Sequence, residues 1–183
     1  MLRFENIIDK FFLGILRLNS AISIDRPCAI SRKAEISTCF GGSIIIGKKS
    51  EIHNGAIINT YGGNISIGEQ CSINPYTIIY GNGGVKIGES VRIASHCSII
   101  SFSHNNDLLD QDIMSQGLNK KGIIIENNVW IGSGSRILDG VVIKSGCIIG
   151  AGSVVTKSTE RNCIYVGTPA KLLRVRSEKK IIK

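Results

Sequence analysis

Broken at every sixth residue, residues 125–155 read IENNVW IGSGSR ILDGVV IKSGCI IGAGSV V. An aliphatic side chain opens each block: Ile125, Ile131, Ile137, Ile143, Ile149 and Val155. The fifth place is small throughout, with Val129, Ser135, Val141, Cys147 and Ser153. Glycine takes the second place at Gly132 and Gly150. A large inward aliphatic, a flexible residue and a small inward residue are what a tight strand–turn unit needs. One such unit buries too little surface to fold alone, so its repetition predicts coils stacked on one another.

The register runs back towards the N-terminus through Ile24, Ile30 and Ile36, then Ile46, Ile52 and Ile58. It continues with Ile67, Ile73 and Ile79, and with Ile87, Ile93 and Ile99. Gly47, Gly68 and Gly88 occupy second places, and most fifth places are again small. The register slips only in the third unit of a triplet. Ten residues part Ile36 from Ile46, nine part Ile58 from Ile67, eight part Ile79 from Ile87 and twenty-six part Ile99 from Ile125. Three units therefore make one coil, and every insertion shares one corner, where Gly41-Gly42, Gly62-Gly63 and Gly83-Gly84 should stack. Coils starting near Ile24, Ile46, Ile67, Ile87, Ile125 and Ile143 predict an all-β parallel β-helix of about six coils, each rising roughly 4.8 Å. Its end coils need covering. Residues 1–23 are expected to form an N-terminal amphipathic helix, 24–166 the β-helix with an inserted loop at 104–121, and 167–183 a basic C-terminal tail.

Composition agrees. Apolar residues make up 43% of the chain but aromatics only 5%, with 21 glycines, which suits repeated strands and turns better than a layered core. The net charge of +8 favours anionic partners. Basic residues are scattered and aromatics few, which argues against a nucleic-acid binder. No run of about 18 apolar residues occurs, so no transmembrane helix is expected. In the first segment Phe4, Ile7, Ile8, Phe11, Phe12, Ile15 and Leu16 follow helical spacing, while Glu5 and Asp9 argue against a secretory signal. This helix is read as a cap on the fold, with membrane-surface contact as the alternative. Cys28, Cys71, Cys97 and Cys147 fall at the small inward place, and no CxxC occurs, so the cysteines are read as filler in a reducing, cytoplasmic protein.

The stretch SFSHNNDLLDQDIMSQGLNKKG, residues 101–122, is the largest insertion. Long loops thrown out of a regular scaffold commonly carry function. His104 stands where the regular coil becomes loop, a place from which a base can be positioned; spacing alone leaves a solvated loop histidine equally open. His53 and His96 read as surface residues, and three converging imidazoles for a zinc site are not expected.

The segments NNVWIGS, IGAGSVVTK and VGTPAKLLR resemble those of the hexapeptide-repeat acyltransferases, and the run from Ile125 is similar to the galactoside, maltose and xenobiotic acetyltransferases. The resemblance covers residues 24–174. It implies a left-handed parallel β-helix, a homotrimer with active sites between subunits, and acetyl-CoA as acyl donor. It also implies a catalytic histidine at the start of a loop after a hexapeptide coil, which His104 in SFSHNND matches. Neutral His104 would take the proton of a sugar hydroxyl as the oxygen attacks the thioester, and a backbone amide would hold the oxyanion. Asp107 is the nearest carboxylate to orient the imidazole; Asp110, Asp112 and backbone carbonyls are alternatives. For acetyl-CoA the resemblance points to Trp130, Ser133, Gly150, Ala151, Thr156, Lys157, Lys171 and Arg174, and for the acceptor to Asn74.

The expected activity is O-acetyl transfer to a sugar or glycan precursor for polysaccharide or lipopolysaccharide assembly, in the cytoplasm or at the inner face of the membrane. Alternatives are antibiotic or serine acetylation, a metalloenzyme of the carbonic anhydrase kind and a non-catalytic trimeric scaffold.

Overall fold

A computed structural model describes residues 14–16 and 18–176. Three parallel sheets form the faces of a prism. The first stacks Ile22–Ile24, Ser43–Ile46, Asn64–Ile67, Val85–Ile87, Ile123–Ile125 and Val142–Ile143 in that order. The second stacks Ala29–Ile30, Glu51–Ile52, Ser72–Ile73, Arg92–Ile93, Trp130–Ile131, Ile148–Ile149 and Cys163–Val166. The third stacks Glu35–Ser37, Ile57–Asn59, Ile78–Tyr80, Ser98–Ile100, Arg136–Ile137 and Val154–Val155. The chain visits the faces in rotation, so six full coils result.

Register pairs join the residues that open each block. Ile24 pairs with Ile46, Ile46 with Ile67, Ile67 with Ile87, Ile87 with Ile125 and Ile125 with Ile143. These isoleucines point inward and are buried at 6% exposure or less. Because strand side chains alternate, their neighbours face out, as the buried–exposed–buried pattern of Ile123–Ile125 shows.

The small fifth places have a hydrogen-bonding role as well as a steric one. Cys28 Sγ donates to the Gly47 carbonyl at 3.1 Å, Ser50 Oγ to Gly68 at 2.8 Å and Cys71 Sγ to Gly88 at 3.0 Å. Thr77 Oγ1 donates to Ala94, Cys97 Sγ to Gly132 and Ser135 Oγ to Gly150. Each inward donor thus satisfies the second-place carbonyl of the coil above, which would otherwise be unpaired at a turn. The cysteines are free thiols within this ladder, and burial pushes Cys71 and Cys97 above the ordinary thiol range.

The second-place glycines serve close approach rather than flexibility. A Cβ on Gly68 would lie 2.5 Å from the Gly88 carbonyl oxygen, and one on Gly132 would lie 2.5 Å from the Ala151 nitrogen. The left-handed conformation belongs to the fourth place, where Lys49, Gln70, Ser90 and Asn128 have φ between +55° and +60°. The expectation that the second place supplies the flexible turn is corrected accordingly.

At the insertion corner, between the third sheet and the first, the paired glycines stack as expected. A Cβ on Gly42 would overlap the Gly63 carbonyl oxygen, at 1.7 Å, and one on Gly63 would meet that of Gly81 at 1.9 Å. The largest insertion leaves this corner as a two-stranded antiparallel ribbon, Phe102–His104 against Leu118–Lys120, closed by a 3-10 turn at Ile113–Gln116.

Both ends are covered. Gly14, Ile15 and Leu16 are helical, and Leu16 is buried in the core cluster. The helical segment expected over 1–23 is corrected at its end, because residues 18–21 turn and Ile22–Ile24 already pair as the first strand; residues 1–13 and 17 lie outside the described residues. Among residues expected as a C-terminal tail, Lys171–Val175 form a strand that turns back antiparallel onto Cys163–Val166. The second sheet therefore ends in a hairpin, and only residues 177–183 of the tail lie outside the description.

Candidate active site

The ribbon is built so that His104 leaves the scaffold on an ordered strand. Its Cα register partner is Leu118, and its side chain is exposed. Beside it, Ser103 Oγ donates to Asp139 Oδ2 at 3.4 Å, and Asn119 Nδ2 on the facing strand donates to the same oxygen at 3.2 Å. Asp139 belongs to the turn of the coil above. One carboxylate therefore ties both strands of the ribbon to the prism. Further out, Asn105 Nδ2 donates to the Gln116 carbonyl, and Gln116 itself bonds the Leu108 amide and carbonyl, which closes the tip on itself.

Asp107 is exposed on that tip. Among the described residues the one histidine–carboxylate ion pair is His53 with Glu51, at 3.4 Å, so Asp107 is not paired with His104. Asp139 holds the strand that carries His104, and sequence reasoning missed it. Its place in an ILDGVV block looks like an ordinary turn aspartate, and only folding brings it against Ser103, 36 residues earlier.

The residues expected around the donor occupy other parts of the prism. Trp130 projects from the outer face of the second sheet, 54% exposed, with Arg92 and Ile148 as its register neighbours. Ser133, Gly150 and Ala151 lie at the corner between the second and third sheets, where Ser133 Oγ donates to the Ser95 carbonyl at 2.8 Å. Ala151 is exposed, and its amide backs onto Gly132 so closely that no side chain fits between the coils. Lys171 and Arg174 are exposed on the final strand of the second sheet. Thr156 and Lys157 are exposed just past Val154–Val155, at the insertion corner. Asn74 stands at the same corner as Ser133, two coils lower, and its Nδ2 donates to the Ile93 carbonyl at 2.8 Å.

One chain thus places His104, Thr156 and Lys157 along one edge of the third sheet, and Ser133, Gly150, Ala151 and Asn74 along the other. His96, read as a surface residue, stacks on Tyr76 with ring centroids 5.2 Å apart. Among the described residues no three His, Cys, Asp or Glu side chains converge as a metal site, and no helix is long and apolar enough to cross a membrane.

Comparison with known proteins adds independent findings. The family described as bacterial transferase hexapeptide (six repeats) matches residues 122–157. A dTDP-4-amino-4,6-dideoxy-D-glucose acyltransferase of Escherichia coli is 32% identical over 162 residues, spanning 86% of this chain and 83% of its own. A putative lipopolysaccharide biosynthesis O-acetyl transferase of Escherichia coli K12 is 31% identical over 109 residues, 56% of each chain. Among solved structures, a variant of AntD, an N-acyltransferase from Bacillus cereus in complex with dTDP-4-amino-4,6-dideoxyglucose and coenzyme A, superposes with a TM-score of 0.80 at 26% identity, covering 98% of this chain and 94% of that one. This chain spans 39% to 56% of the length of several other curated relatives that it matches. With the repeat matched and one relative aligned along most of both chains, the protein belongs to the bacterial hexapeptide transferase family.

Proposed function

We propose that the protein transfers an acetyl group from acetyl-CoA to a hydroxyl of a sugar or glycan precursor, with His104 as general base. The observation that carries this reading is the anchored ribbon: an exposed imidazole on an ordered strand, fixed to the prism through Asp139. A sugar hydroxyl is a weak nucleophile at neutral pH, and a neutral imidazole within hydrogen-bond reach supplies the missing basicity. Its lone pair takes the proton while the oxygen attacks the thioester carbonyl. The tetrahedral oxyanion then collapses and expels the CoA thiolate, so that both substrates are bound together and no acyl-enzyme forms. The lipopolysaccharide-related relative supports a glycan acceptor.

The donor side of the site is assigned to Trp130, Ser133, Gly150, Ala151, Lys171 and Arg174, with Thr156 and Lys157 at the insertion corner. Exposed Ala151 and the open backbone of neighbouring Gly152 admit a narrow pantetheine chain beside Gly150, whose Cα is covered by Val166, and Lys171 and Arg174 offer charge to its phosphates. The insertion-corner and second-corner sets lie on opposite edges of the third sheet, so we assign the complete site to a homotrimer in which His104 of one subunit faces the donor residues of the next. Asn74 is assigned to acceptor contact and Asp107 to stabilising the imidazolium. A cytoplasmic site of action supplies acetyl-CoA, and the N-terminal segment is assigned to capping the fold, with contact with the inner membrane surface as the alternative.

A second reading, acylation of an amine on a nucleotide-linked sugar, is favoured by the relatives that align along most of this chain. The same base serves it, because an amine must also lose a proton. The test is thiol release from acetyl-CoA with a panel of sugars, glycan fragments and nucleotide-linked amino sugars. His104→Ala should lose about a hundredfold or more of kcat; full activity in that variant removes His104 from the role. Mild alkali cleaves an ester product and spares an amide, which separates the two acceptors. Absence of turnover with every acceptor, together with no acetyl-CoA binding, sinks both readings.

A further inference from the structure

Four aromatic rings meet at the insertion corner below His104. Tyr61 is their hub, with ring centroids 4.8 Å from Tyr80, 6.2 Å from Phe40 and 6.2 Å from Phe102. Their arrangement follows from the coil register. The Thr60 amide donates to Ser37, that of Gly81 to Asn59 and that of Ser101 to Tyr80. Thr60, Gly81 and Ser101 therefore stack, and the residues after them, Tyr61, Asn82 and Phe102, form one column. Phe40 continues it downward, where Gly62 packs over its carbonyl. Tyr80 packs edge-on against Tyr61.

Three features point to a ligand. First, Phe102 and His104 are two apart on one strand, so they share a face of the ribbon. The intervening Ser103 turns the other way, to Asp139. The imidazole is thus on the side where Phe102 meets Tyr61. Second, Tyr61 is held at both peptide groups: its amide donates to Asn59 Oδ1 at 3.0 Å, and Asn82 Nδ2 donates to its carbonyl at 2.7 Å. Third, large rings take left-handed turn positions here, as Tyr76 and His96 do at the corner between the second and third sheets, but in place of the polar residues of the first corner. Left-handed turn positions at the first corner carry Lys49, Gln70, Ser90 and Asn128, whereas Phe40 and Tyr61 hold φ of +59° and +45° here. Phe40 is 85% exposed, so core packing does not account for it.

We propose that Phe40, Tyr61, Tyr80 and Phe102 form a stacking platform that binds successive rings of an extended carbohydrate acceptor and delivers its end to His104. This rests on the acyltransfer reading above. The C–H faces of a pyranose ring carry slight positive charge and settle on the negative face of an aromatic ring. Through Tyr61 the rings run in two centroid steps of 6.2 Å each, from Phe40 to Tyr61 and from Tyr61 to Phe102. That length exceeds one sugar ring and suits a short chain.

The experiment measures acetyl-CoA thiol release with linear glucose and galactose oligomers, from monosaccharide to hexasaccharide. Wild-type KM for the acceptor should fall as the oligomer lengthens. Phe40→Ala and Tyr61→Gly should each raise KM for the longer oligomers about three- to tenfold, with the loss in KM rather than kcat, and Tyr61→Phe should restore it. Glycine suits the left-handed backbone at position 61, so thermal melting should stay close to wild type and exclude unfolding as the cause. A wild-type KM that ignores oligomer length, or variants with unchanged KM, would overturn the platform while leaving the acyltransfer reading intact. Loss of the native oligomer in either variant, seen by light scattering, would assign the rings to subunit packing and overturn it equally. Turnover confined to nucleotide-linked sugars would assign the rings to a base instead. Failure of every acceptor, without acetyl-CoA binding, defeats the parent reading and this one with it.

Discussion

Removing the Asp139 carboxylate tests whether His104 depends on its anchor. In Asp139→Ala the ribbon loses both bonds that tie it to the prism, from Ser103 at 3.4 Å and Asn119 at 3.2 Å. Hydrogen bonds to a charged acceptor contribute about 1.5–3 kcal/mol each in good geometry. These two lie at or beyond the long end of the hydrogen-bond range and are part-buried, so about 1–2 kcal/mol in total is the appropriate scale. The isoleucine core does not contain them, and the cost falls on the docked state of the ribbon, not on the coils. If docking is required for turnover, a shift of that size lowers the competent fraction about five- to thirtyfold. We expect kcat/KM in the thiol-release assay to fall by that factor, while the melting temperature drops by no more than a few degrees. Amide exchange should quicken at Leu118–Lys120 and stay slow at Arg136–Ile137. Asp139→Asn, which keeps one acceptor oxygen, should recover part of the rate. Unchanged kcat/KM in Asp139→Ala would show that His104 needs no anchor, and the reasoning from ribbon to base would fail. A collapse of stability with the rate would make Asp139 a part of the fold instead.

Other expectations concern the scaffold. Gly63→Ala should destabilise by about 3 kcal/mol or more, since its Cβ would meet backbone oxygen at 1.9 Å, whereas Gly41→Ala, with open space at φ +92°, should cost only about 1 kcal/mol of backbone strain; paired thermal melts check the contrast. Ser50→Ala leaves the Gly68 carbonyl and the Cys71 amide without their partner and should cost about 1–3 kcal/mol, while Ser50→Cys should restore most of it. Glu126 accepts bonds from the Ser145 amide and hydroxyl and from Lys144, and these hold its carboxyl down at about 2. A depressed folded-state value means that its stabilisation is full above the unfolded value and is lost as pH falls towards 2. Acid titration of stability should therefore show a descending limb below about pH 4.5, shallower in Glu126→Gln; identical limbs would remove Glu126 from the acid response.

The coils were legible because the signal recurs. Each isoleucine that opens a block pairs with its counterpart one coil away, so a register fixed from Ile125 onward carried back to Ile24 without error. The slips were as informative as the repeats, since they located the insertion corner and the ribbon that leaves it. What periodicity could not reveal was which turn place needs which glycine. Second-place and fourth-place glycines look alike in sequence, yet one yields to the backbone of the next coil and the other to a left-handed φ. Similarly, the run from Lys171 to Val175 has no hexapeptide signature, because an antiparallel strand at the end of a sheet pairs on one side only and needs no repeat.

The candidate site was legible only in part, for a reason rooted in the architecture. A solenoid stacks residues that are about 20 positions apart, so each corner gathers side chains whose nearness no local motif records. Phe40, Tyr61 and Tyr80 are scattered in a chain with few aromatics, and composition suggested no aromatic surface; coil stacking brings them to one point beneath Phe102. Asp139 reaches the ribbon across 36 residues for the same cause. His104 stood out as the candidate base because it sits at a break in the repeat, where sequence and structure change together. The residues around it could not, because Asp139 sits inside a regular unit and Phe40, Tyr61 and Tyr80 are spread over three separate slips, and each acquires a place beside it only through what is stacked above or below. In such a fold, aligning the coils by register and reading down each corner recovers candidate partners that a search along the chain misses, and the column Phe40, Tyr61, Asn82, Phe102 is the case in point.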